Sequence, residues 1–159
     1  MGKNHDKTNV MRILEQKKIP YISHNYTETG AVSGMEVALA LGENPDMVFK
    51  TLVTVGKSKT NYVFVIPVNK ELNLKKAAQS VQEKSIEMIK SRELLPLTGY
   101  VHGGCSPIGM KKQFVTVIDR SAENFEQILF SGGKIGYQVE VGLEALKKAV
   151  PYRLADIAE

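Results

Sequence analysis

Residues 48 to 55 and 62 to 68 are dominated by β-branched and aromatic side chains at both strand parities, and only Gly56-Lys57-Ser58-Lys59-Thr60-Asn61 separates them. Side chains alternate from face to face along a strand, so runs apolar at both parities offer no side to water. They predict a hairpin with little solvent exposure. Pro67 cannot donate to a ladder, which predicts an edge or a bulge near the end of the second strand. Lys50 interrupts the first. An ammonium there must reach the sheet's edge, pair with an acid, snorkel to the surface, or point into a polar cavity where it meets a substrate.

Around this hairpin the apolar period switches repeatedly. Val10, Ile13, Leu14 and Lys17 predict an amphipathic helix over 8–18, with Thr8 as its cap and Pro20 at its exit. A short strand follows over 21–26. Ser33 and Glu36 have the spacing of a capping box before Val37, Ala40 and Leu41, and Gly42 is the stop of a helix of about two turns. Further helices are expected over 74–81 after Asn73, as a turn over 91–95, and over 122–127 and 143–150. Further strands are expected over 85–89, 114–119, 128–131 and 135–141. Short strands joined by hairpins and brief helices lack the regular alternation of a doubly wound sheet. The fold class expected is α+β: a mixed, largely antiparallel, barrel-like β-sheet with short helices packed outside. At 159 residues and 43% hydrophobic, one domain over 1–159 is expected.

The opening Met-Gly-Lys-Asn-His-Asp has no apolar segment, and no apolar run approaches the ~20 residues a bilayer needs. A cytoplasmic protein with no membrane partner is the expectation. One cysteine, Cys105, excludes an intramolecular disulfide. The net charge of +4, with lysines paired at 17–18, 75–76, 111–112 and 147–148, permits an RNA partner without demanding one.

Residues 103–109 read Gly-Gly-Cys-Ser-Pro-Ile-Gly. The glycines open backbone conformations that a β-carbon forbids, while Pro107 fixes one dihedral and biases Ser106 away from the helical region. Such a loop is either a plain turn between strands or a binding floor whose amides point at a ligand. Around it, known chemistries fail to assemble. His102 and Cys105, with His24 distant in sequence, are too few for a metal site, and no cofactor is called for. A Cys105–His102 nucleophilic pair needs a meeting that a three-residue offset does not assure. Ser106 invites a Ser-Lys comparison with Lys50, yet the Gly-x-Ser-x-Gly elbow is absent. Gly132-Gly133-Lys134 is followed by Ile135 where a P-loop needs Ser or Thr, so Ser131 to Lys134 reads as a turn.

Taken in order, Phe49-Lys50-Thr51-Leu52, Leu72 to Ala77, Thr98-Gly99-Tyr100, Gly103 to Gly109 and Ser131-Gly132-Gly133-Lys134 resemble the signatures of the YbaK/EbsC family of bacterial Cys-tRNA(Pro) deacylases. The resemblance runs from about Val10 to the C-terminus. It implies a barrel-like α/β domain related to the editing insertion of prolyl-tRNA synthetases, and trans-editing of Cys-tRNA(Pro) in which the substrate's own thiol attacks its ester. It also implies roles. Lys50 holds the negatively charged or polar end of the aminoacyl-adenosine, and amides near Gly103, Gly104 and Ser106 steady the carbonyl oxygen. Tyr26, Cys105, Pro107 and Gly109 belong to the substrate pocket, with Cys105 dispensable for chemistry, and Ser131, Gly132 and Gly133 form the opposite wall. The aminoacylated acceptor end of tRNA is the implied partner, with a prolyl-tRNA synthetase supplying tRNA identity. The alternatives are editing of another misacylated tRNA such as Ala-tRNA(Pro), a non-catalytic tRNA- or synthetase-binding module, and a Cys105-dependent thiol hydrolase.

Overall fold

A computed structural model describes residues 7–159; the polar opening segment, 1–6, lies outside them. Five α-helices and eight strands occur among the described residues. The helix α1 (Asn9–Gln16) starts where the Thr8 hydroxyl accepts the Met11 amide, and it buries Val10, Met11 and Leu14. After β1 (Tyr21–Asn25) comes α2 (Gly34–Leu41), whose Ser33–Glu36 capping box is fully formed and which ends at Gly42 in the left-handed region. The hairpin is β2 (Phe49–Gly56) and β3 (Asn61–Pro67). Then follow α3 (Leu74–Ser80) capped by Asn73, β4 (Ile86–Met88), α4 (Ser91–Thr98) and β5 (Val115–Asp119). The chain closes with β6 (Gln127–Ser131), β7 (Tyr137–Gly142), α5 (Leu143–Leu146) and β8 (Tyr152–Ala155).

The strands form two sheets. One is antiparallel with order β1-β7-β6; the other has order β4-β2-β3-β5-β8, antiparallel from β4 to β3 and parallel from β3 to β8. A bridge between Val48 and Leu129 joins the first sheet to the start of β2. The α+β class and the largely antiparallel pairing are as expected, while the sheets stay open at their edges rather than closing into a barrel. The apolar character of β3 at both parities has a direct cause. Val63 and Val65 face the main core shared with α1, β6, β7 and α5, whereas Tyr62, Phe64 and Ile66 face a second core under α3. Full burial of side chains such as Phe64 and Ile66 contributes roughly 1.5–3 kcal/mol each.

Four elements depart from the expected pattern. Pro67 does not mark an edge, because β3 lies between β2 and β5. The Val68 amide donates to Val48, so the nitrogen of Pro67 turns the other way, past the point where pairing with β5 ends at Val65. The helix α4 runs on through Pro96 to Thr98, since the carbonyl that the ring leaves unbonded lies on an exposed turn. Residues 120–124 form a 3-10 helix held by Asp119, in place of an α-helix over 122–127. The edge strand β8 alternates only over Tyr152-Arg153-Leu154, too short a run to stand as a signal; pairing with β5 makes it a strand. No helix among the described residues is long and apolar enough to cross a membrane.

Candidate active site

A cavity of about 750 Å³ opens between the N-terminal end of α2, the strand β2, the segment from Met88 to Leu94, the 102–105 loop and one face of the antiparallel sheet. Five successive residues of β2, Phe49 to Val53, line it. Side chains of both parities can do so because the cavity abuts the strand's edge rather than a face. The Val68 to Val48 hydrogen bond sets the ladder so that Lys50 and Leu52 turn their backbone groups toward β3 and Thr51 turns its own away. On that far side β4 pairs only with Thr54 to Gly56. The backbone edge of Thr51 is therefore unpaired toward the cavity among the described residues.

Lys50 is half-buried, lines the cavity, and takes part in none of the ion pairs found among the described residues. Lys90 and His102 add positive or titratable groups to the wall. Glu36 is the acid there, but its carboxylate accepts the amides of Val32 and Ser33 at 3.0 Å each. Those backbone hydrogen bonds, Ser33 first and Val32 second, hold its pKa below the ordinary carboxylate value. Tyr26, only 3% exposed, and Ser131 complete the polar lining that the sequence pointed to.

The glycine-rich loop divides into a floor and a backing. Gly103, at φ +89°, and Cys105 line the cavity. Their amides have no hydrogen-bond acceptor among the described residues, whereas the Gly104 amide is bonded to Val101 at 3.0 Å. Gly104 is buried against the backbone of Lys134 and Ile135, outside the residues that line the cavity. Ser106 is fully buried off the cavity wall, and its hydroxyl accepts the Ile108 amide. Pro107 is likewise buried away from the cavity. Gly109 packs against α1 and the Tyr100 hydroxyl, and Gly133 against Val10; Gly132 donates to Tyr137 across the turn. These positions shape the loops from behind.

Burial pushes the Cys105 thiol up to about 12, and a hydrogen bond with Thr98 only partly offsets this. The thiol is thus protonated at neutral pH, and its partner is Thr98 rather than the exposed His102. His24 does not join His102 and Cys105. Its Nε2 lies 2.9 Å from Glu140, and Glu43 completes a cluster whose ligand atoms are within 4.8 Å of one another.

Sequence reasoning missed Thr51 and Gln138, which both line the cavity. Gln138 sits on β7 opposite His24 on one side and Ser131 on the other. The signal available was a glutamine two residues before Glu140 in an otherwise apolar strand, which fixes their common face but not what that face meets.

Comparison with known proteins places these features in context. The family profile of the aminoacyl-tRNA editing domain matches residues 29–149. A candidate Cys-tRNA(Pro)/Cys-tRNA(Cys) deacylase, EbsC, of Enterococcus faecalis is 43% identical over 156 residues, which is 98% of this chain and 95% of that protein. A proline–tRNA ligase of Shouchella clausii is 32% identical over 108 residues, covering 67% of this chain and 19% of the ligase. The crystal structure of a hypothetical protein superposes with a TM-score of 0.87 at 23% identity, covering 96% of this chain and all of that one. A crystal structure described as a candidate trans-editing enzyme for prolyl-tRNA synthetase gives 0.80 at 21% identity, covering 96% and 98% of the two chains. At such identities the solved structures speak to the fold alone.

Proposed function

The chain belongs to the aminoacyl-tRNA editing domain family, and from that premise we propose that it is a deacylase that removes cysteine from mischarged Cys-tRNA(Pro), acting as one editing domain. Cysteine and proline are close in volume, and a synthetase pocket separates such pairs by only ~10–200-fold. A second site must therefore read what proline lacks: a thiol and a primary amine. The cavity's 750 Å³ suits an aminoacyl-adenosine, falling in the range of about 300–1,000 Å³ typical of small-molecule sites.

The reaction this site favours needs no protein nucleophile. The substrate thiol attacks the carbonyl carbon of its own ester, a carbon–sulfur bond forms, and the bond to the ribose oxygen breaks. The ribose oxygen takes up a proton as the thiol loses one, giving free tRNA and a cyclic thiolactone. The chain contributes position and charge. The Lys50 ammonium attracts the polar end of the ester, and the free amides of Gly103 and Cys105 hydrogen-bond the carbonyl oxygen as it becomes negative. Tyr26 and Ser131 hold the substrate on the sheet side. The observation that carries this reading is a lysine without an ion-pair partner among the described residues, in one cavity with an amide floor and a cysteine kept protonated by burial. A bound prolyl-tRNA synthetase supplies tRNA identity.

Incubating Cys-tRNA(Pro) and Ala-tRNA(Pro) with wild type, Lys50→Ala and Cys105→Ala tests the reading. Wild type should release cysteine in preference to alanine. Lys50→Ala should lose on the order of 10²–10³ in kcat, the scale of one electrostatic group at a reacting carbonyl. Cys105→Ala should stay close to wild type. An inactive Cys105→Ala beside an active Lys50→Ala would identify a thiol hydrolase instead.

A further inference from the structure

Outside the cavity, three side chains able to ligate a metal converge at the C-terminal end of α2. His24 on β1 and Glu140 on β7 share one face of the antiparallel sheet, because His24 stands directly opposite Gln138, two residues from Glu140. The helix α2 packs on that same face: its Ala38 and Leu41 belong to the apolar cluster of Leu129, the residue paired with Glu140. There the helix ends in a Schellman turn, with the Gly42 amide donating to Leu39 and the Glu43 amide to Ala38. Ladder and turn together fix the backbone of all three residues. The His24 Nε2 lies 2.9 Å from Glu140 Oε1, and the ligand atoms of His24, Glu43 and Glu140 all lie within 4.8 Å of one another.

The charges at this point are unbalanced. Two carboxylates meet where the end of a helix adds its own partial negative charge. Among the described residues no lysine or arginine pairs with either, and the Glu43 carboxylate has neither an ion pair nor a hydrogen bond. One imidazole beside two carboxylates is a donor set for a divalent transition metal, since the nitrogen disfavours Mg²⁺ and Ca²⁺. We propose that His24 Nε2, Glu43 and Glu140 hold a zinc-type dication, with water in the fourth position. Bonds of about 2.1 Å in a tetrahedron set the donors about 3.4 Å apart, so the widest pair has to close by at most about 1.4 Å, within reach of side-chain rotation. The side chains of His24 and Glu140 are 20% and 16% exposed, which leaves an ion a way in. The ion replaces the proton between Nε2 and Oε1, which passes to Nδ1 or to solvent. The first turns of α2 line the cavity, so an ion that clamps its last turn to the sheet braces the cavity wall from its far end. This role is structural, and it stands whether or not the chain is a deacylase.

The experiment uses the full chain without a histidine tag, stripped by a chelator, then titrated with zinc chloride by calorimetry beside thermal melts. Wild type should bind one Zn²⁺ per chain, and a hundredfold excess over Kd should raise Tm by about 5–10 °C. Mg²⁺ at the same concentration should leave Tm in place. Glu43→Gln and His24→Gln should each weaken Zn²⁺ binding at least tenfold and abolish the rise in Tm. Without metal, Glu43→Gln should melt no lower than wild type, because it removes a repelling charge and no contact. If His24→Gln does not fold, Glu43→Gln decides. Absence of Zn²⁺ binding in wild type overturns the site, as does binding that survives Glu43→Gln unchanged, which would place the ion elsewhere. An equal rise with Mg²⁺ also overturns it, because the carboxylates would then be screened without the imidazole.

Discussion

Asp119 shows how much one side chain can hold. One carboxylate oxygen accepts the Ser121 amide at the start of the 3-10 helix, and the other accepts the amides of Ile157 at 3.0 Å and Ala158 at 3.1 Å, fastening the last residues to β5. Burial pushes its pKa up, but the hydrogen bonds from Ser121, Ile157 and Ala158 outweigh it and leave the group below its ordinary 3.8. A depressed folded pKa gives stability that is present above the unfolded value and is lost as pH falls through the folded one. Asp119→Asn should therefore cost about 1–3 kcal/mol at neutral pH and flatten the fall of Tm below about pH 4. Thermal melts across pH check this, and parallel acid limbs for the two proteins would exclude the role. Single residues also show what a sequence can and cannot say about a site. Lys50 stood out because an ammonium in an apolar strand needs a reason. The glycines were less decisive, since close approach to a ligand and close approach to the chain itself use the same residue. Gly103 borders the cavity, but Gly133 makes room for Val10, whose methyl lies 2.8 Å from where a β-carbon would stand.

Elements were legible where their ends carry their own chemistry. Thr8, the Ser33–Glu36 box and Asn73 each fix a helix start through a bond to a backbone amide three residues on, which is local and therefore readable. The strand β8 and the open sheets depend on partners distant in sequence, and the three-residue alternation Tyr152-Arg153-Leu154 is too short to announce them. The helix α2 links such local chemistry to the cavity, because its first turns form one wall. Gly34 lets it lie close on Val68, the residue that follows β3: a β-carbon there would fall 2.5 Å from Val68 Cγ1. Gly34→Ala should destabilise by about 1–3 kcal/mol and raise KM as the wall shifts outward. Combining it with Val68→Ala should restore part of both losses. Denaturant unfolding and steady-state kinetics on the three variants measure the coupling, and strict additivity would show that the contact does not set the wall.

At the scale of the whole molecule, a net charge of +4 spread over scattered lysines gives weak general attraction to RNA and leaves the cavity to supply the local grip. Were Lys50 and Lys90, the two lysines that line the cavity, each to neutralise one phosphate, the apparent affinity for a single-stranded acceptor end would fall with salt at a log–log slope of about −1.4. Titrations at several salt concentrations would yield that slope, and a flat line would separate tRNA binding from phosphate contact. The bare edge of β2 reaches beyond catalysis. An unpaired strand margin ordinarily invites a second molecule to continue the sheet. Here the margin is short, running only from the bridge at Val48 to the hydrogen bond from Ile89 to Val53, and it opens inside the cavity, so the surrounding walls leave no room for another copy of the chain to extend the sheet.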